Sequence, residues 1–191
     1  AEFERETGLH LRAGTEPEMM WLKLNPDGTP SVEGMTKPYC YHIDQFSELQ
    51  PLIHRVIEYS TAMGLDMIQG DHEDAPGQLE LNFMFDDALR TCDRLATYRQ
   101  ICGQVAREFN LIACFMTKPF MGVSASGCHH NLSLWRGDDE KMVLTGGLEE
   151  KKLPGMQSNY MYLKGGENTF MPPKGEAKPG PIGLYCIGGV I

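Results

Sequence analysis

Between Leu65 and Phe85 the chain sets two apolar runs, Leu65 to Ile68 and Leu79 to Phe85, on either side of an acidic Pro-Gly turn. The turn reads Gly70-Asp71-His72-Glu73-Asp74-Ala75-Pro76-Gly77-Gln78. Proline fixes φ and glycine tolerates positive φ, so the stretch predicts strand, tight turn, strand. Such a hairpin carries Glu73 and Glu80 towards one another on its two arms. Two carboxylates held that way, with His72 and Asp74 beside them, suit a hard divalent cation. A solvated acidic turn would have the same composition, and the rest of the chain has to decide between the two.

A second acidic pair stands in Thr15-Glu16-Pro17-Glu18-Met19-Met20-Trp21-Leu22-Lys23-Leu24. In an extended chain alternate side chains share a face, so Glu16 and Glu18 project together with Met20 and Leu22 behind them. Pro17 restricts this segment to an edge strand or to a strand beginning. Carboxylates on an otherwise apolar strand are costly to bury without a cation or partner, the other reading being a solvated strand start. Further on, Gly122-Val123-Ser124-Ala125-Ser126-Gly127 is a run of small residues, which lets backbone N–H groups approach a ligand. It leads into Cys128 to Trp135, where alternation puts His129, Asn131 and Ser133 on one face and His130, Leu132 and Leu134 on the other. His129 is open to two readings, a ligand or a satisfied structural histidine.

Around these signals the chain reads as follows. Glu2 to Glu6 opens as a short strand or loop, and Asn25-Pro26-Asp27-Gly28 is a turn. Residues 29–43 form an ordered loop. A helix starts near Ser47 to Pro51, buries Leu52, Ile53, Val56 and Ile57, and stops at Gly64, with His54 a surface or packing residue. A long helix runs from Asp86-Asp87-Ala88-Leu89 to about Asn110 on a stripe that includes Leu89, Cys92, Cys102 and Phe109. Leu111 to Thr117 is a compact strand. Residues 136–181 form a surface excursion with a small hairpin around Tyr160 to Leu163, and Ile182 to Ile191 returns to core-like composition. The fingerprint G-x-G-x-x-G is absent.

At 191 residues the chain suffices for one substantial domain. A net charge of −9 argues against a nucleic-acid backbone as partner. Six cysteines without a C-x-x-C pair suggest reduced thiols, not a disulfide framework or zinc knuckle. There is neither a membrane-length apolar run nor a signal peptide, so a soluble, cytoplasmic protein with no membrane partner is expected. The chain starts without Met and stops at the apolar Gly188-Gly189-Val190-Ile191, which reads as part of a larger polypeptide.

Three signals in fixed order now stand together. They are Glu16-Pro17-Glu18, then Asp71-His72-Glu73-Asp74-Ala75-Pro76-Gly77-Gln78-Leu79-Glu80, then Lys118-Pro119-Phe120 with Ser124 to His129 and Ser133-Leu134-Trp135. In this order they resemble the catalytic domain of the glutamine synthetase family, over about residues 15–135. The Asp-His-Glu-Asp form of the middle motif looks most like the branch of type III glutamate–ammonia ligases and γ-glutamylmethylamide synthetases.

The resemblance implies an α+β fold, an antiparallel sheet forming a metal-lined active-site funnel backed by helices, with residues 1–191 as one partial catalytic domain. It implies two or three Mg²⁺ or Mn²⁺ ions, with Glu18, Glu73 and Glu80 matching the ligands of one and Glu16 and His129 those of another. Carboxylate oxygens suit such hard cations, and Mn²⁺ tolerates one imidazole. Phe85 matches a position beside the adenine of ATP, and Asn131, Ser133 and Trp135 the nucleotide strand. Ser124 and Ala125 fall in the glutamate-binding loop. The family has Asn-Gly where this chain has Ser124-Ala125, and a second His where it has Asn131. The implied reaction is ATP-dependent ligation of ammonia to the γ-carboxylate of L-glutamate through γ-glutamyl phosphate. Methylamine or another small amine as acceptor, or a catalytically lapsed homologue, are the alternatives. The family's catalytic arginines, flap glutamate and N-terminal β-grasp domain match nothing in this sequence. Stacked homo-oligomeric rings are implied for the full-length protein.

Overall fold

A computed structural model of the chain describes residues 2–35, 40–136 and 167–168. The excursion at 136–181 lies almost wholly outside the described residues, as do the hairpin around Tyr160 to Leu163 and the return at Ile182 to Ile191. The elements run in the order α1 (Glu2–Thr7), β1 (Leu9–Leu24), β2 (Pro30–Ser31), α2 (Ile43–Glu48), α3 (Gln50–Ala62), β3 (Met67–His72) and β4 (Gln78–Phe83). They continue with β5 (Asp86–Asp87), α4 (Ala88–Glu108), β6 (Leu111–Cys114), β7 (Cys128–Arg136) and β8 (Glu167–Asn168). β1 pairs antiparallel with β2, β4, β5 and β6, β3 with β4 and β7 with β8, and helices back the sheet, as the α+β reading expects. The described residues divide into two compact units, one within the bounds Ala1–Gly14, Phe85–Thr91 and Asn131–Ile191, the other within Thr15–Met84 and Cys92–His130.

In the second unit β1 is a central strand. Met20 pairs with Gln78 of β4 on one side and with Cys114 of β6 on the other. Pro17 therefore sits within a long strand, not at its beginning. The ladder with β4 starts at Glu18 and that with β6 at Met20, so the missing N–H of Pro17 takes no part in either of these two. Alternation then sorts the side chains. Met19 and Trp21 of β1 point to one face together with Leu79, Leu81 and Phe83 of β4, and α3 and α4 cover that face with Leu52, Ile53, Val56, Tyr98, Cys102 and Val105. Met20 and Leu22 point the other way and pack with Ala75, Val32, Ile112 and Phe120.

The hairpin forms as its composition predicts, and Gly77 is why it sits where it does. Its φ is +68°, and a Cβ there would stand 2.5 Å from the carbonyl oxygen of Trp21. That closeness lets the Trp21 N–H donate to the Gly77 carbonyl at 2.8 Å, pinning the turn to the central strand. The register differs from the expected approach of Glu73 to Glu80. Asp71 stands directly across from Glu80, and the Glu73 N–H donates to the Gln78 carbonyl, so Glu73 and Glu80 are diagonal neighbours.

The helix at Gln50–Ala62 has Pro51 in its first turn and is followed by Gly64 at φ +78°, as predicted. A separate turn of helix, α2, precedes it, beginning on the last residue of the stretch expected to be loop. His54 is exposed. In α4 only the later part of the predicted stripe is buried: Tyr98, Ile101, Cys102, Val105 and Ala106 form core, whereas Leu89 is 71% exposed and Phe109 36%. The strand expected over Leu111 to Thr117 ends at Cys114.

In the first unit, Glu2–Thr7 is a helix where a strand or loop was expected. Thr7 Oγ1 donates back to the Phe3 carbonyl and the Gly8 N–H to that of Glu4, with Gly8 at φ +66° closing the turn. Asp86 and Asp87 pair with Ala13 and Arg12 of β1 before α4 begins, and the Leu89 N–H donates to Asp87 Oδ1 at 3.0 Å.

Candidate active site

The polar face of the second unit is built by register. Glu18 stands opposite Glu80, Glu80 opposite Asp71, and Gln78 opposite Met20. Facing pairs share a side, so Glu16, Glu18, Gln78, Glu80, Asn82, Asp71 and Glu73 belong to one face of three adjacent strands. His72 lies on the opposite side and is buried, whereas Asp71 flanks Glu80 directly. Glu80 is only 7% exposed and accepts a hydrogen bond from Asn82 Nδ2 at 2.7 Å.

Crowded carboxylates raise one another's pKa. Burial, then Glu18, Glu80, Asp71 and Asp74, push Glu73 up to about 7. Glu80 is also raised, chiefly by burial and further by Glu16, Glu18 and Asp71, although its bond from Asn82 works the other way. The Tyr41 hydroxyl is pushed up by Glu73 first and by Asp71. Among the described residues no Lys or Arg stands among the leading influences on Glu73 or Glu80. A cluster of hard oxygen donors without a cationic side chain has the chemistry a divalent cation needs. Among the described residues no three His, Cys, Asp or Glu side chains already close into a cage, so the chain presents an open array of acids.

Two further candidates meet on this unit. His129 Nδ1 lies 3.2 Å from Glu16 Oε2, joining the start of β7 to the middle of β1. The Gly122 to Gly127 loop is tied down at several points: Ser124 Oγ bonds to the Asp74 carboxylate, and the Ser126 N–H donates to the Thr117 carbonyl at 2.8 Å. Ala125 is exposed, and its carbonyl accepts from Gln78. A Cβ on Gly127 would stand 3.1 Å from Glu18 Oε1, so a side chain there would press on that carboxylate.

The remaining candidates gather in the other unit. The rings of Phe85 and Trp135 lie 5.9 Å apart at 31°, and Trp135 Nε1 donates to Ser133 Oγ at 2.7 Å. A Cβ on Gly14 would stand 3.3 Å from the Phe85 Cβ and 4.0 Å from the Asn131 Cβ. The Arg12 guanidinium sits 4.5 Å from the Trp135 ring centroid. Burial lowers the pKa of Arg12, against Asp86 and Asp87, which raise it. Arg12 and Gln78 are site residues that no sequence motif singles out. For Gln78 the signal was available, since it precedes Glu80 by two positions on a strand; for Arg12 there was none, because β1 was expected to start later.

The described cysteines, Cys40, Cys92, Cys102, Cys114 and Cys128, are free. Among the described residues no helix is long and apolar enough to cross a membrane.

Residues 1–161 match the family described as glutamine synthetase, catalytic domain. Glutamine synthetase of Rhizobium meliloti (strain 1021) is 36% identical over 138 residues, covering 71% of this chain and 31% of the relative. That of Thermus thermophilus is 28% identical over 182 residues, covering 95% of this chain and 34% of the relative. A solved GmaS/ADP complex superposes with a TM-score of 0.75 at 28% identity, covering 99% of this chain and 37% of that one. The chain thus spans about a third of the length of these curated relatives. On the match over residues 1–161, this chain belongs to the glutamine synthetase catalytic-domain family.

Proposed function

We propose that this chain is the metal- and nucleotide-carrying part of an ATP-dependent ligase that joins ammonia to the γ-carboxylate of L-glutamate through γ-glutamyl phosphate. The observation that carries this reading is the shared carboxylate face, in which Glu18 faces Glu80 and Glu73 is raised to about 7, in a chain of this family. Glu18, Glu73 and Glu80 would hold one divalent cation and Glu16 with His129 a second. Mg²⁺ or Mn²⁺ there supplies charge neutralisation for the phosphates and the transferring group. The chain's own residues do the rest. The carboxylates fix where positive charge stands, and Phe85 with Trp135 offers an aromatic wall to the adenine. Asn131 and Ser133 add polar groups to the same strand, and Ser124 and Ala125 contribute to the amino-acid loop.

The likeness to the GmaS structure supports a second reading, in which methylamine or another small amine replaces ammonia as acceptor. Residues 1–191 are then part of a catalytic domain whose arginines and flap glutamate come from other segments. The 191-residue chain alone is expected to bind manganese and form no γ-glutamyl hydroxamate. Carried with those segments, it is expected to release ADP only when glutamate, a divalent cation and an amine are all present. Comparing ammonia with methylamine separates the two acceptors. Negligible manganese binding, equal in the natural chain and in Glu18→Gln, together with no ADP release, would identify a lapsed homologue and sink the ligase reading.

A further inference from the structure

Gln78 makes more contacts with distant segments of the chain than any role as a turn residue requires. It is 1% exposed, and its side chain meets four groups from three separate segments. Its Oε1 accepts the Ala75 N–H at 2.8 Å, closing the hairpin turn. Its Nε2 lies 3.0 Å from Glu18 Oε2, 3.1 Å from the Ala125 carbonyl and 3.1 Å from Ser126 Oγ. The partners fix which way the amide faces. Flipped, it would set a donor against the Ala75 N–H and an acceptor against a carboxylate and a carbonyl. Glu18 Oε2 receives a second bond from the Gly127 N–H at 3.1 Å, while the Glu18 N–H donates to the Gly127 carbonyl at 3.1 Å.

We infer that Gln78 is a positioning residue that brackets Glu18 to the loop at Ala125–Gly127. It turns Oε2 of Glu18 towards protein donors and leaves Oε1 as the oxygen presented to a cation. Two amide protons shared among three acceptors hold strand β1, the turn of the hairpin and the small-residue loop in one arrangement. The metal ligand and the amino-acid loop are then set together, and a shift in either is transmitted to the other through one side chain. This deepens the metal-binding reading of Glu18 and rests on it.

Manganese titration followed by electron paramagnetic resonance, with amide exchange on the metal-free protein, tests the bracket. Gln78→Met keeps length and loses both polar ends. It is expected to weaken manganese binding by about 10–100-fold, as loss of an outer partner of a ligand does, and to speed exchange of the Gly127 amide. Gln78→Glu keeps the acceptor for Ala75 but loses the donors, and it is expected to weaken binding as well. Wild-type or tighter affinity in Gln78→Glu would reduce Gln78 to a turn-closing residue and overturn the inference. In a Glu18→Gln background the further loss on adding Gln78→Met should fall to within about twofold, because the two residues act through one contact. Fully additive losses would overturn it too. If the natural protein binds no manganese, the metal reading of Glu18 fails while the bracket is still decided by exchange. Faster exchange at Gly127 in Gln78→Met upholds the bracket, and unchanged exchange removes it.

Discussion

The two faces of β1 and β4 are made by the same strands yet do opposite things. On one, Met19, Trp21, Leu79, Leu81 and Phe83 are all at most 2% exposed and packed under α3 and α4. On the other, Glu18 meets Glu80, Glu80 meets Asp71, and burial lifts Glu73 to about 7. The first face removes apolar surface from water and stabilises the fold. The second gathers like charges at partial burial, which costs folding energy in the absence of a cation. Period-two alternation lets one strand carry both without either intruding on the other. Fold and site are therefore separable by substitution, even at neighbouring positions.

The sharpest break of that comparison uses Leu79. Leu79→Ala should cost about 2–5 kcal/mol, from lost transfer energy and a cavity in a closely packed layer. A urea denaturation series would read this as a lower midpoint. A cost below about 1 kcal/mol would mean that the layer under α3 and α4 is not what holds the second unit together.

A smaller effect is expected where the two faces meet, at Gly77. Alanine there has to adopt a left-handed backbone, costing about 1–2 kcal/mol, and its Cβ would collide with the Trp21 carbonyl 2.5 Å away. Gly77→Ala should therefore cost about 2 kcal/mol or slightly more and loosen the bond from the Trp21 N–H. Faster amide exchange at Trp21 is the local sign of it. Unchanged exchange together with an unchanged denaturation midpoint would show that the turn can move away from β1 without cost.

Much of this organisation was legible in the sequence because it rests on local rules. Pro76-Gly77 between apolar runs gave the hairpin, and alternation gave the shared face of Glu16 with Glu18 and the parity of His129, Asn131 and Ser133. The α+β class and the family followed from motifs in order. What failed was longer-range or locally ambiguous. The register that puts Asp71 across from Glu80 depends on how many residues the turn consumes, which Pro and Gly alone do not fix. Pro17 lies inside β1, where the ladders with β4 and β6 both start past it, a placement that its ring alone does not announce. The helix at Glu2–Thr7 is too short and charged to announce itself by periodicity. The Gln78 bracket joins residues from strand, turn and loop, and no local pattern encodes such a meeting. How the acids arrange themselves around a cation is likewise a property of the ion and the array together.

The smallest of the expected effects tests the acidic face most directly, because its sign is opposite to that of the core. Glu73 is raised from the ordinary 4.5 to about 7, mainly by burial and then by Glu18, Glu80, Asp71 and Asp74. Between those two values the folded chain retains a proton that the unfolded chain has released. Stability of the metal-free protein should thus fall as pH rises through that window and level off above about 7. Glu73 is partly open to solvent, so screening reduces the effect to about 1 kcal/mol. Glu73→Gln should remove that part of the slope and, above about pH 7, stabilise the metal-free chain by the same amount. Manganese competes with the proton, so its affinity for the natural chain should rise through the same window. Urea midpoints at several pH values, with and without manganese, read both. If Glu73→Gln leaves the metal-free slope intact, the strain on this face belongs to Glu80 and its neighbours, and Glu73 is an ordinary surface acid.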